Sequence, residues 1–224
     1  MFSYYGSKSK LVHLYPRPKH YKIIEPFSGS ARYSLLYWEK DITIVDKFHK
    51  VISIWKYLQS ASEKDILQLP DIKYQEKIPN SLSDPEKWLI GYCIARGGKR
   101  PCTKGHKFND WKEDKIRIAR DLYKIKHWKI ILGDYKDLDN EEATWFIDPP
   151  YQLKGVTYSF GSNSIDYDSL GLWCKDRIGQ VIVCENLGAT WLDFIELKSF
   201  TGAYKKNTEV YWTNNILDIP ITFF

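Results

Sequence analysis

The chain has 224 residues, enough for one substantial core or for a core domain carrying a smaller insertion. Its 43% hydrophobic and 27% charged residues are ordinary for a soluble globular protein, and no run nears the roughly 18 consecutive apolar residues of a membrane helix. The four cysteines, Cys93, Cys102, Cys174 and Cys184, are too sparse for a disulfide framework, and a zinc site from Cys93, Cys102, His106 and His127 fits no familiar ligand spacing. With no continuous apolar stretch in the opening "MFSYYGSKSKLVHLY", a cytoplasmic protein with reduced thiols, no bound metal and no membrane partner is expected.

In chain order, "YKIIEPF" is a short apolar run ending at Glu-Pro and reads as a strand, and "ARYSLLYWEK" has helical spacing. "ITIVD" reads as a second strand ending in an acid, and "FHKVISIWKYLQ" places Val51, Ile54, Trp55 and Leu58 on one helical face. From about Ser60 to Ile125 strand signals disappear. There "ASEKDILQL", "DPEKWLIGYCIAR" and "DWKEDKIRIARDLYKI" read as helices around the loop "GGKRPCTKGHKFN". Strands return with "WKIILGDY", "ATWFIDPPY", "GQVIVCEN" and "NTEVYWTN", and the helix "DYDSLGLWCKDR" precedes "GQVIVCEN". The expected architecture is α/β: a Rossmann-like parallel sheet built from 1–59 and 126–224, interrupted by a helical insertion at 60–125.

Charge singles out that insertion. The segment 57–127 carries 15 Lys and Arg against 10 Asp and Glu, an excess equal to the +5 of the whole chain. Between Lys87 and Asn109 there are six cations and no acid, a patch that attracts polyanions.

The strand ends carry the other signal. In open α/β sheets ligands bind beyond the carboxyl ends of the strands, and five expected strands end in acids: Glu25, Asp46, Asp134, Asp148 and Glu185. One such acid is ordinarily a helix cap; five point acceptor oxygens into one crevice, toward a ligand rich in hydroxyls and amines. In "EPFSGSARYSLL", Gly29 and two serines leave the turn free of bulk, so a carboxylate can approach backbone N–H groups. Asp46, after the second strand, is placed to accept two ribose hydroxyls. In "WFIDPPYQ" two prolines remove N–H donors and leave the Asp148 carboxylate and main-chain carbonyls as a row of acceptors. Acceptors alone suit an amine: taking the two hydrogens of a nucleobase NH2 at Asp148 and the Pro149 carbonyl directs the nitrogen lone pair, while Tyr151 can stack on the base.

These residues, in this order, resemble the α-class (Dam-like) DNA adenine-N6 methyltransferases, close to the small versions that phages carry. The resemblance runs through "YYGSK" at Tyr4 to Lys8, "EPFSGS" at Glu25 to Ser30, Asp46 in "VDKFHKVISIWKYL", "GDY" at Gly133 to Tyr135 and "DPPY" at Asp148 to Tyr151. Ser30 and Ser7 stand where the family usually has glycine. The resemblance implies S-adenosyl-L-methionine as methyl donor, held by Tyr5, Gly6, Ser7, Lys8, Glu25, Pro26, Phe27, Ser28, Gly29, Ser30, Asp46, Lys47, Asp134, Tyr135 and Asp148. It implies an adenine flipped out of double-stranded DNA and held by Asp148, Pro149, Pro150 and Tyr151, with direct in-line methyl transfer. The insertion becomes the target-recognition region, with Arg96, Lys99, Arg100, Lys104 and Lys107 on the DNA. Its roughly 65 residues have room for few base-reading side chains, so a short or degenerate site is expected.

Other readings compete. Cytosine-N4 transfer, or transfer to an RNA base, uses the same geometry on another amine. A cytosine-C5 mechanism needs a cysteine in the loop after the strand ending at Asp148, and Cys184 lies elsewhere. A DNA-binding module on a decayed transferase fold is the non-enzyme alternative, and a dehydrogenase lacks its glycine fingerprint here.

Overall fold

The computed structural model describes residues 1–4, 6–95, 98–107, 109–153, 161–201 and 206–215. Strands β1 (Lys22–Pro26), β2 (Asp41–Asp46), β3 (Lys129–Leu132), β4 (Ala143–Ile147), β5 (Gly179–Asn186), β6 (Ile195–Thr201) and β7 (Lys206–Thr213) form one sheet in the order β3-β2-β1-β4-β5-β7-β6. The first five are parallel, and β7 runs antiparallel to both β5 and β6. The order matches the dinucleotide-type 3-2-1-4-5-6 sheet except for a reversed strand inserted before the last position.

The inner strands are nearly continuous apolar runs because both faces of the sheet are covered. Alternation along each strand divides its residues between two cores. Ile23, Phe146, Ile182 and Cys184 face one; Ile24, Trp145, Ile147, Val181 and Val183 face the other. Helices α1 (Arg32–Leu36), α2 (His49–Ser60), α3 (Glu63–Leu67), α4 (Asp84–Ile94) and α5 (Trp111–Asp121) contribute to the first core, and α6 (Tyr167–Asp176) to the second. The α2 face reads as expected: Val51, Ile54, Trp55 and Leu58 are all fully buried.

Segment 60–125 has no strand longer than a single bridge among the described residues; Tyr74 pairs with Gly105 and Lys77 with Lys104. Its starts are written locally. Ser62 accepts from Asp65 N at 3.2 Å while Asp65 accepts from Ser62 N at 2.8 Å, and Ser83 N donates to Glu86 at 2.8 Å ahead of Pro85. Its apolar side chains join the first core rather than forming one of their own: Tyr92 packs 5.3 Å from the Tyr4 ring and 6.3 Å from Phe2, which lies 5.3 Å from Trp55.

Two elements differ from expectation. The helix of "ARYSLLYWEK" stops at Leu36, because Tyr37 leaves helical geometry (φ −116°, ψ 35°) and Lys40 N closes a turn on Tyr37 O at 3.0 Å immediately before β2. Strand β6 in "IELKSFT" was not anticipated; it is an edge strand held only by β7. No helix among the described residues is long and apolar enough to cross a membrane. The strand order reverses between β1 and β4, which opens a crevice at their carboxyl ends.

Candidate functional site

The loop leaving β1 builds one wall of that crevice. Phe27 (φ 63°), Gly29 (φ 45°) and Ala31 (φ 45°) are left-handed, and the residues between them are not. Such alternation folds the loop back on itself, and three of its N–H groups are spent inside the protein, with Ala31 N closing on Ser28 O at 2.6 Å. The strain is held in place: Ser28 N donates to Val45 O at 3.0 Å, Gly29 N to Asp46 Oδ2 at 2.9 Å, and Trp55 Nε1 to Gly29 O at 2.9 Å. A Cβ on Gly29 would lie 3.1 Å from Tyr4 Cδ1 as well as on a disfavoured φ, so this position needs glycine twice over. Ser28 Oγ is buried here without a protein partner, an exception to the rule that buried polar atoms are hydrogen-bonded.

The crevice is a cavity of about 1160 Å³, its open mouth included. It gathers Gly6, Ser7, Lys8, Glu25, Phe27, Ser28, Gly29, Ser30, Asp46, Lys47, Asp134, Tyr135, Asp148 and Pro150 from segments far apart in the chain. Asp46 also accepts from Phe48 N at 2.8 Å, which leaves one lone-pair direction on each oxygen. Burial pushes its carboxyl up to about 6. Asp134 accepts from Lys47 Nζ at 3.0 Å and Lys136 N at 3.2 Å; these donors outweigh burial and hold its carboxyl below the usual range. Phe27 and Tyr135 face each other at 5.1 Å and form an aromatic side to the cavity.

At the other end Asp148 already holds an amine. Lys8 Nζ meets both of its oxygens at 2.8 Å, donates to Gly6 O at 3.1 Å, and stands 3.7 Å from Glu209 Oε1 and 4.7 Å above the Tyr151 ring. Burial pulls the Lys8 ammonium down, but Asp148 and then Glu209 raise it more, so it stays protonated far above neutral pH. Burial pushes the Asp148 carboxyl up against the opposing pull of Lys8. The Tyr151 hydroxyl donates to Glu209, and the Tyr167 hydroxyl to Pro150 O. Pro149, by contrast, is buried.

Several expectations need adjustment. Glu25 lies in the cavity wall, but its Oε2 accepts from Ser34 N at 3.0 Å and Ser34 Oγ at 2.5 Å, so that oxygen serves the start of the α1 helix; burial pushes it up to about 8. Glu185 does not share the crevice. It is fully buried and takes Gln152 N at 3.0 Å, Asn186 N at 2.8 Å and Trp191 Nε1 at 3.2 Å, which anchors the segment after Tyr151; burial pushes it up to about 7. Pro26, Pro149 and Tyr151 do not line the cavity. Tyr5 and Arg96 lie outside the described residues. Tyr4, Arg32, Lys136, Ser164, Ile165 and Asp166 line the cavity without having been anticipated. Of these, Arg32 ties the N-terminal segment to the loop, donating to Ser7 Oγ at 2.9 Å and Phe2 O at 2.8 Å.

Beside the cavity, and sharing Phe48 with it, runs a second cleft lined by Lys50, Lys77, Lys87, Arg100 and Lys104 with Trp88 and Tyr92. The acid lining it, Asp84, is taken by Lys87 at 2.7 Å. Lys77 and Lys104 sit opposite each other in an antiparallel bridge, an unfavourable placement of like charges that an incoming polyanion would relieve. Of the basic residues singled out from the sequence, Arg100 and Lys104 line this cleft, whereas Lys99 and Lys107 do not. All four cysteines are free thiols, and Cys184 is buried in β5, outside the loop that follows Asp148 though near enough to feel its charge. No group of three or more His, Cys, Asp or Glu among the described residues is arranged to hold a metal ion. No protein-family model matches the chain and no curated protein matches it, so the chemistry of the site has to come from these residues themselves.

Proposed function

We propose that the chain is an S-adenosyl-L-methionine-dependent DNA methyltransferase acting on the N6 amino group of adenine. The observation that carries this reading is the convergence, in one cavity at the switch point of the sheet, of the small-residue loop at Phe27 to Ala31, the ribose-type acceptor Asp46 and the amine-holding carboxylate Asp148. The cavity fits the cofactor's chemistry. The unpartnered Ser28 Oγ suits the amino-acid carboxylate, the free lone pairs of Asp46 suit the ribose hydroxyls, and the Phe27 and Tyr135 rings with Asp134 suit a purine and its amino group. Bound there, S-adenosyl-L-methionine would supply a methyl on a positively charged sulfur; as the amino nitrogen's lone pair formed the new N–C bond the C–S bond would break to leave a neutral thioether, and the proton lost from that nitrogen would pass by way of the Asp148 carboxylate to water.

The protein's own part is to hold the amine. The Asp148 carboxylate accepts one amino hydrogen and the Pro149 carbonyl, which lies off the cavity wall before the base enters, accepts the other, and Lys8 yields one of its two Asp148 contacts. Because Lys8 keeps Gly6 O and the Glu209 carboxylate as alternative partners, that exchange does not strand a charge. Flipping the base out of the duplex costs a few kcal/mol, and phosphate contacts along Lys50, Lys77, Arg100 and Lys104 offset it.

The test is incubation of the protein with methyl-labelled cofactor and unmodified double-stranded DNA, followed by mass spectrometry of the nucleosides. Label on N6-methyladenine is expected, and Asp148→Ala abolishes it while cofactor affinity stays within about tenfold. Label on N4-methylcytosine, label only when RNA replaces DNA, or full turnover by Asp148→Ala would each defeat the proposal.

A further inference from the structure

One carboxylate next to Asp148 has no part in holding either the cofactor or the amine. Glu209, on β7, is 4% exposed and does not line the cavity. Three donors converge on its Oε1: the Tyr15 hydroxyl at 2.7 Å, the Tyr151 hydroxyl, and the Lys8 ammonium at 3.7 Å. An oxygen surrounded only by donors is in the setting of an ionised carboxylate.

Among the direct contacts of Lys8 the charge count does not balance; Arg32, another partly buried cation on the cavity wall, is turned to Ser7 Oγ and Phe2 O. Burial holds the Tyr15 and Tyr151 hydroxyls and the Cys184 thiol well above their ordinary values, so they are neutral. Glu25, pushed up to about 8, is mostly protonated at pH 7. One ammonium, Lys8, therefore faces two carboxylates, Asp148 and Glu209. A buried group left with one uncompensated negative charge is unfavourable until a cation arrives beside it. Asp148 and Lys8 carry that imbalance to the cavity wall, where Glu209 itself does not reach.

We infer that Glu209 is a positioning residue which, acting through Lys8 and Tyr151, makes the cavity prefer a positively charged sulfonium to the neutral thioether that remains after transfer. The inference rests on the methyl-transfer reading above and adds the means by which spent cofactor is let go. Lys8 is shared between the Asp148 and Glu209 side chains and cannot fully neutralise Asp148. A sulfonium completes the count; a thioether leaves it open.

The deciding measurement is calorimetric titration of the full chain with S-adenosylmethionine and, separately, S-adenosylhomocysteine at pH 7. The wild type is expected to bind the sulfonium about tenfold more tightly, the order of effect of one unit charge several ångströms away in partly hydrated protein. Glu209→Gln keeps the side chain's size and an acceptor for both tyrosines, and it is expected to bring the ratio near unity by weakening the sulfonium alone. Glu209→Asp restores part of the ratio. A Glu209→Gln protein that loses affinity for both compounds equally, keeping the ratio, shows a merely structural residue and overturns the inference. So does a wild type that binds both compounds equally, a result that needs no variant to fold. A wild type that binds neither removes the methyl-transfer reading and this inference with it, whereas equal binding removes the inference alone.

Discussion

Replacing Lys8 with methionine keeps most of the packing of its stem and removes the ammonium, so Asp148 and Glu209 are left near each other with no cation between them. Breaking one side of a buried ion pair typically costs about 3–5 kcal/mol, because the remaining charge stays desolvated. Here the Lys8 side chain is 8% exposed but that of Asp148 is 21% exposed, and it opens on the cavity. Water in the cavity takes over some of the lost contacts, which brings the expected cost below that range, to about 2–3 kcal/mol. For a chain of this size that lowers the thermal midpoint by about 4–12 °C. Urea or thermal unfolding followed by circular dichroism reads the effect directly. The double variant Lys8→Met/Asp148→Asn recovers more than half of the loss, since one of the orphaned carboxylates is gone, and the resulting coupling exceeds about 1 kcal/mol. A Lys8→Met protein that melts within a degree of wild type, or a double variant whose losses simply add, would show that the two groups do not form the pair on which the site is built.

Asp46 gives a pH prediction whose sign follows from burial. Its carboxyl is pushed up to about 6 in the folded protein, against an ordinary 3.8, so it takes up a proton as pH falls through 6. If its oxygens accept the ribose hydroxyls, S-adenosylmethionine affinity declines below that pH. Titration from pH 8 to 5 reads this, and an Asp46→Asn protein with the same pH profile would remove Asp46 as the cause. Gly29→Ala is expected to cost about 1–3 kcal/mol in urea unfolding, since alanine disfavours φ 45° and its Cβ presses on Tyr4; it also weakens cofactor binding by displacing the loop. Wild-type stability together with wild-type affinity would contradict the account of that loop.

The sequence displayed the cavity better than it displayed what neutralises it. Strands β1, β2, β4 and β5 are apolar runs bounded by acids, a pattern that buried parallel strands impose, so their ends and the residues at them could be placed from the chain alone. What could not be read is who pairs with whom. Lys8 and Asp148 are 140 residues apart, and no spacing rule connects them. Glu209 did leave a trace: along "NTEVYW" it shares a strand face with Tyr211, which is buried in the first core, so an acid sits on the apolar side of the alternation. Strand β6 and the early end of α1 were hidden for a different reason. Both depend on tertiary neighbours, β7 for the one and the four-residue return to β2 for the other, and local propensity is silent about either.

The reversed strand β7 has a consequence for how the protein comes into being. It lies between β5 and β6, yet it is synthesised after both, so the gap in the sheet stays open until that late stretch leaves the ribosome. Glu209 travels on that strand, and through Tyr15 it fastens a stretch made 194 residues earlier. Contacts of such long separation are slow to close, so a nascent chain would carry most of its fold well before Glu209 arrives beside Lys8 and Tyr15.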